Sequence, residues 1–326
     1  MKLSNYAAAA AGLFLLAGCA SSTPGIPAPS PATGALARSE AGQESGSLTQ
    51  LVDLDYSNGA ISVFSISNGR ARLTKTFTTG NGAPQGLAMD AQGRIYTTVT
   101  ATSSNSCAAC VEVFTADGKL VEQLPAPILS GASGQPSLTD VAVDAHRNVY
   151  VSDYGQQAVY FYPHASKTRQ PTIVVRNSQN AASVLATPSG GTVVVSGGCG
   201  FASVRPYTRV APGKYTAGSC FGIGTIALIG GAIDEQLDVM TPVDGVPALV
   251  SVSSSSGGHS FRTPGQLASI SGVALNGDAS IAYVANARSG SVYAFARPAK
   301  GWLSSRPKLL AIYRGFKNLD IIAVAP

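Results

Sequence analysis

The residues best able to do chemistry in this chain carry oxygen. Asp55, Asp153 and Asn286 each end a short apolar run, and Asp140 and Asp320 each stand at the head of another. Carboxylate and carbonyl oxygens drawn onto one face are the ligand type that Ca²⁺ takes, usually six to eight at a time. Asp and Asn at such places also bond the backbone of the turn that follows, a structural role that competes with the first. Tyr154, directly after Asp153, is the aromatic best placed to touch a ligand. The three histidines, His146, His164 and His259, fall in turns away from these residues, so a histidine base or histidine metal site gains no support. No Gly-x-Ser-x-Gly elbow and no Gly-rich phosphate loop is present. Ser253 to Gly258 reads as a linker.

The elements that must hold these residues are short strands. The 326 residues are 45% hydrophobic and 12% charged, too apolar for general disorder, and no apolar run after the first 20 residues is long enough to span a membrane. Gly, Ser, Thr and Val are abundant and Glu and Lys few, which disfavours helix bundles. The cations are scattered along the chain without an aromatic-basic stripe, so no nucleic-acid partner is expected. One pattern recurs: an apolar β-run, a polar turn, then further β-runs. Its clearest copy spans residues 140–153, with others beginning near Gly86, Ser183, Ile226, Gly272 and Asp320. A period of 40 to 50 residues with four strands per unit predicts a β-propeller. The copy at 140 predicts strands over 140–144, 148–152, 158–162 and 172–176. A start at Leu237 for the fifth copy gives less even spacing than Ile226. The last copy stops after one strand, and residues 51–64 align with the hairpin of residues 149–162. The predicted fold is therefore all-β, a six-bladed propeller over residues 49–326 whose first blade is closed by strands from both ends of the chain. Tyr160, Tyr162, Tyr293 and Phe295 alternate as residues packed between blades do.

The first residues carry a signal. Lys2, the apolar stretch Ala7 to Leu16 and then Leu16-Ala17-Gly18-Cys19 resemble the signal and lipobox of bacterial lipoproteins. The resemblance implies cleavage after residue 18, diacylation of Cys19 and a membrane partner through the N-terminal lipid. Ala20, rather than Asp, after the Cys implies the outer membrane, facing the periplasm or the surface. Residues 19–48, rich in Pro, Ser and Ala, read as a flexible tether with an end-to-end distance of roughly 30 Å. Cys107 and Cys110 have the spacing of a redox or zinc pair, but a strand-like run follows them, and Cys199 and Cys220 lack the spacing of a second zinc pair. Four cysteines in an exported chain point to two disulfides, Cys107–Cys110 and Cys199–Cys220, both stapling one rim.

Val149 to Gly155 and Tyr283-Val284-Ala285-Asn286 resemble the "YVAD/YVTN" strand of NHL-type and YVTN-type propellers. Proteins of this kind include lactonases, lyases and interaction platforms, and they bind ligands on the face where the second strands end. That face would carry Asp55, Asp140, Asp153, Tyr154, Asn286 and Asp320. The expected function is a lipid-anchored envelope platform binding a protein, peptide or glycan. The alternative is a metal-assisted lactonase or lyase using these Asp and Asn residues around the channel. A gluconolactonase-type site needs an early Glu, and none occurs between Leu48 and Glu112.

Overall fold

The computed structural model describes residues 48–325 apart from 80–82, 101–108, 133, 168–169, 177–180, 198–202, 223–229, 243–247, 254–256, 263–268, 303–306 and 318. The expected signal, most of the tether, and Cys19, Cys107 and Cys199 lie outside the described residues.

A local turn device repeats along the chain and explains why its hairpins form. The Asp90 carboxylate accepts the backbone N–H groups of Gln92 and Arg94, Asp144 those of His146 and Asn148, and Asp234 those of Gln236 and Asp238, all at 2.8–2.9 Å. Asn276 receives the N–H of Ile281 in the same way. The residue three positions after each of these is left-handed: Gly93 at φ 75°, Arg147 at 63°, Leu237 at 64° and Ala279 at 55°. Such a residue favours glycine, because Cβ crowds the neighbouring carbonyl. Ala279→Gly is accordingly expected to stabilise the fold by about 0.5–1 kcal/mol. A urea midpoint that falls in this variant would contradict the strain argument.

Among the described residues six groups of strands follow one another, and one further strand comes last. The first is β1 (Gln50–Asp55), β2 (Ala60–Ser67) and β3 (Arg70–Thr78). Next come β4 (Ala83–Met89), β5 (Ile95–Thr100), β6 (Ala109–Phe114) and β7 (Leu120–Pro125). The third is β8 (Leu138–Val143), β9 (Val149–Asp153), β10 (Ala158–Tyr162) and β11 (Thr172–Val175). The fourth is β12 (Val184–Ala186), β13 (Thr192–Ser196), β14 (Ser203–Ala211) and β15 (Lys214–Ala217), with β16 (Phe221–Gly222) folding back on β14. The fifth is β17 (Ala232–Ile233), β18 (Val239–Pro242), β19 (Ala248–Ser253) and β20 (Gly257–Arg262). The sixth is β21 (Ile270–Leu275), β22 (Ile281–Asn286), β23 (Ser291–Ala296) and β24 (Lys308–Arg314), and β25 (Ile321–Val324) ends the chain.

Within each group neighbouring strands pair antiparallel, the arrangement of a β-propeller. β25 joins the first group, with Leu51 opposite Val324 and Leu54 opposite Ile321, so the two ends of the chain share one sheet as the sequence predicts. Among the described residues a single parallel bridge, Arg314 with Arg70, pairs a strand of that sheet with one of the sixth group. The inner strands touch in a closed cycle: β25 meets β4, then β8, β12, β17 and β21, and β21 meets β25. Gly86 and Gly272 let them approach. A Cβ on Gly86 would stand 2.7 Å from Asp140 Cα, and one on Gly272 would stand 2.7 Å from the Asp320 carbonyl oxygen.

The core is divided among apolar clusters, each between neighbouring groups. Leu54, Ile61, Met89 and Ile95 join the first group to the second, and Tyr96, Val111, Val141 and Tyr160 join the second to the third. Leu51, Phe64, Tyr283, Phe316 and Ile322 join the sixth to the first, with the Phe64 and Phe316 rings edge to face at 5.0 Å. Tyr160, Tyr162, Tyr293 and Phe295 are all buried between sheets, as their alternation implies.

Three expectations need correction. The described inner strand of the fifth group is at Ala232–Ile233, later than the expected start at Ile226, which lies outside the described residues, and residues 237–240 lead into the second strand of that group. His259 lies within β20 instead of a loop. Cys110 is the second residue of β6 and is buried, so it is not a loop residue.

Candidate ligand face

The face in question is where the second strands end and the inner strands begin. Strands β1, β9 and β22 do end at Asp55, Asp153 and Asn286, and Asp320 stands just before the start of β25, whereas Asp140 does not head its strand but is the third residue of β8. The structure then shows what occupies their oxygens.

Asp55 caps its own turn. Its Oδ1 accepts the Ser57 N–H at 2.9 Å and the Ser57 hydroxyl at 2.5 Å, while Oδ2 accepts the Asn58 amide at 2.8 Å. Asp153 has no exposed surface. Its Oδ1 accepts the Ser137 and Gln156 N–H groups, both at 2.9 Å, and its Oδ2 accepts the Tyr160 hydroxyl at 2.8 Å and the Gln156 amide at 3.0 Å. Burial, with the adjacent carboxylate, pushes the Tyr160 phenol above its ordinary range. Gln156 also donates to the Pro127 carbonyl and accepts the Leu129 N–H, so Asp153 anchors the strap at residues 127–129. Asn286 Oδ1 accepts the Ser289 N–H within its own turn. Asp153→Asn keeps the shape but mismatches at least one of four donors. It is expected to cost about 1–3 kcal/mol, read as a lower denaturant midpoint, and an unchanged midpoint would contradict this assignment.

Asp140 and Asp320 belong to the inner ring. Asp140 accepts the N–H of Val141 at 2.9 Å and that of Val184 at 3.2 Å, tying β8 to β12. Burial pushes its carboxyl up to about 8. Asp320 accepts the Tyr56 N–H at 3.2 Å, and its own N–H donates to Asp53 Oδ1 at 2.9 Å. Equivalent inner-strand N–H groups elsewhere are received by hydroxyls: Gly86 by Thr98 and Ser183 by Ser196. The first group uses a carboxylate for the same task. Asp53 is buried, and burial, with Asp320 and Asp55 nearby, raises it to about 7. Burial raises Asp320 as well.

The inner strands surround a cavity of about 150 Å³. Leu87, Ala142, Leu185, Ile233, Val273 and Ile322 form part of its wall, one from each inner strand. Asp140 and Asn276 are the polar side chains among its described lining residues. Asp53, Asp55 and Asp320 gather at the seam where the chain ends meet, while Asp153 and Asn286 serve their own turns. Among the described residues no three His, Cys, Asp or Glu are grouped so as to hold a metal.

What the face does offer is exposed apolar surface. Tyr56 and Tyr154 are each about half exposed, at 53% and 50%, and Ile128 is 80% exposed. Tyr56 is not among the residues expected from the sequence; it repeats the Asp-Tyr context of Tyr154 in the first group, the signal that could have found it. Cys110 and Cys220 are both disulfide-bonded.

No protein-family model matches the sequence, and no curated protein does. Solved structures do resemble it. A chain in the crystal structure of the nidogen/laminin complex matches with a TM-score of 0.56 at 13% identity, over 85% of this chain and 98% of that one. A protein from Lactobacillus plantarum matches with a TM-score of 0.52 at 14% identity, over 85% of each chain. A functionally unknown protein from Desulfotomaculum acetoxidans matches with a TM-score of 0.51 at 13% identity, over 85% of this chain and 86% of that one. At these identities the likeness shows the propeller fold alone.

Proposed function

We propose that this chain is a lipid-anchored, six-bladed NHL-type propeller of the bacterial envelope. On this reading it acts as a binding platform for a protein, peptide or glycan. One observation carries it. The oxygens expected to hold an ion or do acid–base work are turned inward onto backbone N–H groups, whereas Tyr56, Tyr154 and Ile128 stand exposed on the same face. Exposed aromatic and aliphatic side chains on loops held by a rigid scaffold are what a recognition surface needs. Acylation at Cys19, placement in the outer membrane and the pairings Cys107–Cys110 and Cys199–Cys220 complete the proposal, the last as staples of this rim.

The test is photo-crosslinking in intact cells from a reactive residue placed at position 56 or 154, with position 210, exposed on β14, as the control. Adducts of defined mass from 56 and 154, absent from 210, are expected. No adduct from either position, or equal adducts from all three, would contradict the proposal.

A further inference from the structure

The charge of this chain is unevenly placed. Residues 56–89 and 279–319 together hold ten Lys and Arg and no Asp or Glu, whereas residues 90–278 hold ten against twelve. The two cationic segments build the first and sixth groups of strands, which meet at the Arg314–Arg70 bridge. On their outer strands β3 and β24, Arg70, Arg72, Lys75, Lys308 and Arg314 are all exposed. Among the described residues none of the five makes an ion pair. The same two strands expose Leu73 at 52% and Leu309 at 36%.

The N-terminal segment joins the body at this place. Leu48 is buried with Ile66, Tyr313 and Phe316 and packs near Ala71, and the Ile66 N–H donates to the Thr49 carbonyl. Leu48, the first described residue, thus stands beside the cationic strands. We infer that the outer faces of β3 and β24 seat the propeller on an anionic lipid surface, the membrane into which Cys19 is anchored. This inference rests on the anchored reading above. Cations near an anionic leaflet contribute about 1 kcal/mol each, and leucines beside them enter the headgroup boundary. Lipid is favoured over an acidic protein because the tether delivers this patch to the membrane. Roughly 30 Å of flexible chain permits contact.

The test uses the full chain with Cys19→Ala, so that acyl chains do not hold it, and vesicles of phosphatidylcholine with or without phosphatidylglycerol. Binding to the anionic vesicles is expected, weakening as salt is raised. Neutralising the patch (R70Q, R72Q, K75Q, K308Q, R314Q) is expected to lower it about a hundredfold or more. Neutralising the exposed Lys167 and Lys214, which belong to the third and fourth groups of strands, leaves it close to unchanged. Circular dichroism checks that the patch variant folds; if it does not, the variant R70K, R72K, R314K, which keeps the charge, must bind as the parent does. Equal binding to both vesicle types, or an unaffected patch variant, would overturn the inference. So would binding to soluble polyglutamate without vesicle binding, which would assign the patch to an acidic protein. The intact mass of chain extracted from cell membranes separates the two readings. A missing acyl group on Cys19 removes the anchor and leaves the vesicle result standing.

Discussion

A chain that stops at Leu319 is expected to lose cooperative folding. The missing strand β25 carries Ile321, Ile322, Ala323 and Val324, each between 3% and 6% exposed. Full burial of an aliphatic side chain contributes about 1.5–3 kcal/mol, so the three larger residues alone supply about 5–9 kcal/mol. Domains are stable by about 5–15 kcal/mol in all. The loss does not stop at these side chains. β25 pairs with β1 over Leu51 to Leu54 and also contacts β4 and β21. Without it the inner cycle is open and β1 presents an unpaired edge, a template for aggregation. The milder variant Ile322→Ala is expected to cost about 2–5 kcal/mol. A truncated chain with the parent's thermal transition would show that the strands do not close through the termini.

Asp53→Asn is expected to make the protein more stable at pH 8 while leaving it little changed at pH 4. The Asp53 carboxyl is raised to about 7 in the folded chain, from an ordinary 3.8, chiefly by burial. A raised carboxyl favours the protonated form when folded. Its contribution is therefore fully present below pH 3.8 and is lost as the pH rises through about 7. By pH 8 the deficit approaches about 4 kcal/mol. Asn cannot ionise, yet its Oδ1 still accepts the Asp320 N–H that joins β25 to β1. The Asp53 contribution makes the stability of the parent fall between about pH 4 and pH 7, whereas that of the variant should stay nearly level. Parallel pH profiles of urea midpoints for the two chains would show that Asp53 does not titrate in this window. Asp140, raised to about 8, adds a slope of the same sign, which survives in the variant and sets how flat its profile becomes.

The strand-turn-strand repeat was legible because its apolar runs and turn acids recur together. Residues 140–153 place strands within two residues of where they lie, and the hairpin of residues 51–64 revealed the shared sheet. The fifth inner strand was misread because Ile226 to Ile229 is more apolar than Gly230 to Asp234. The better guide was Asp234, whose turn bonds repeat those of Asp90 and Asp144. His259 was misplaced because β20 is rich in Gly and Ser, which carry little strand signal.

The candidate site was legible by position and opaque by role. That Asp55 and Asp153 end strands follows from periodicity. Whether their oxygens face a ligand or the backbone depends on Ser137, Gln156 and other partners that periodicity does not specify. Asp53 was hidden for a stronger reason. Its partner Asp320 is 267 residues away in the sequence, and its buried charge arises only when the two ends of the chain meet.

Native mass spectrometry of the full chain in calcium, with and without chelator, tests most directly whether the acids of this face serve the fold alone. The same mass is predicted in both conditions, because Asp55, Asp140, Asp153 and Asp320 already receive protein donors. One calcium retained per chain, released by chelator and abolished in Asp55→Asn or Asp320→Asn, would contradict this account and restore the metal-assisted alternative.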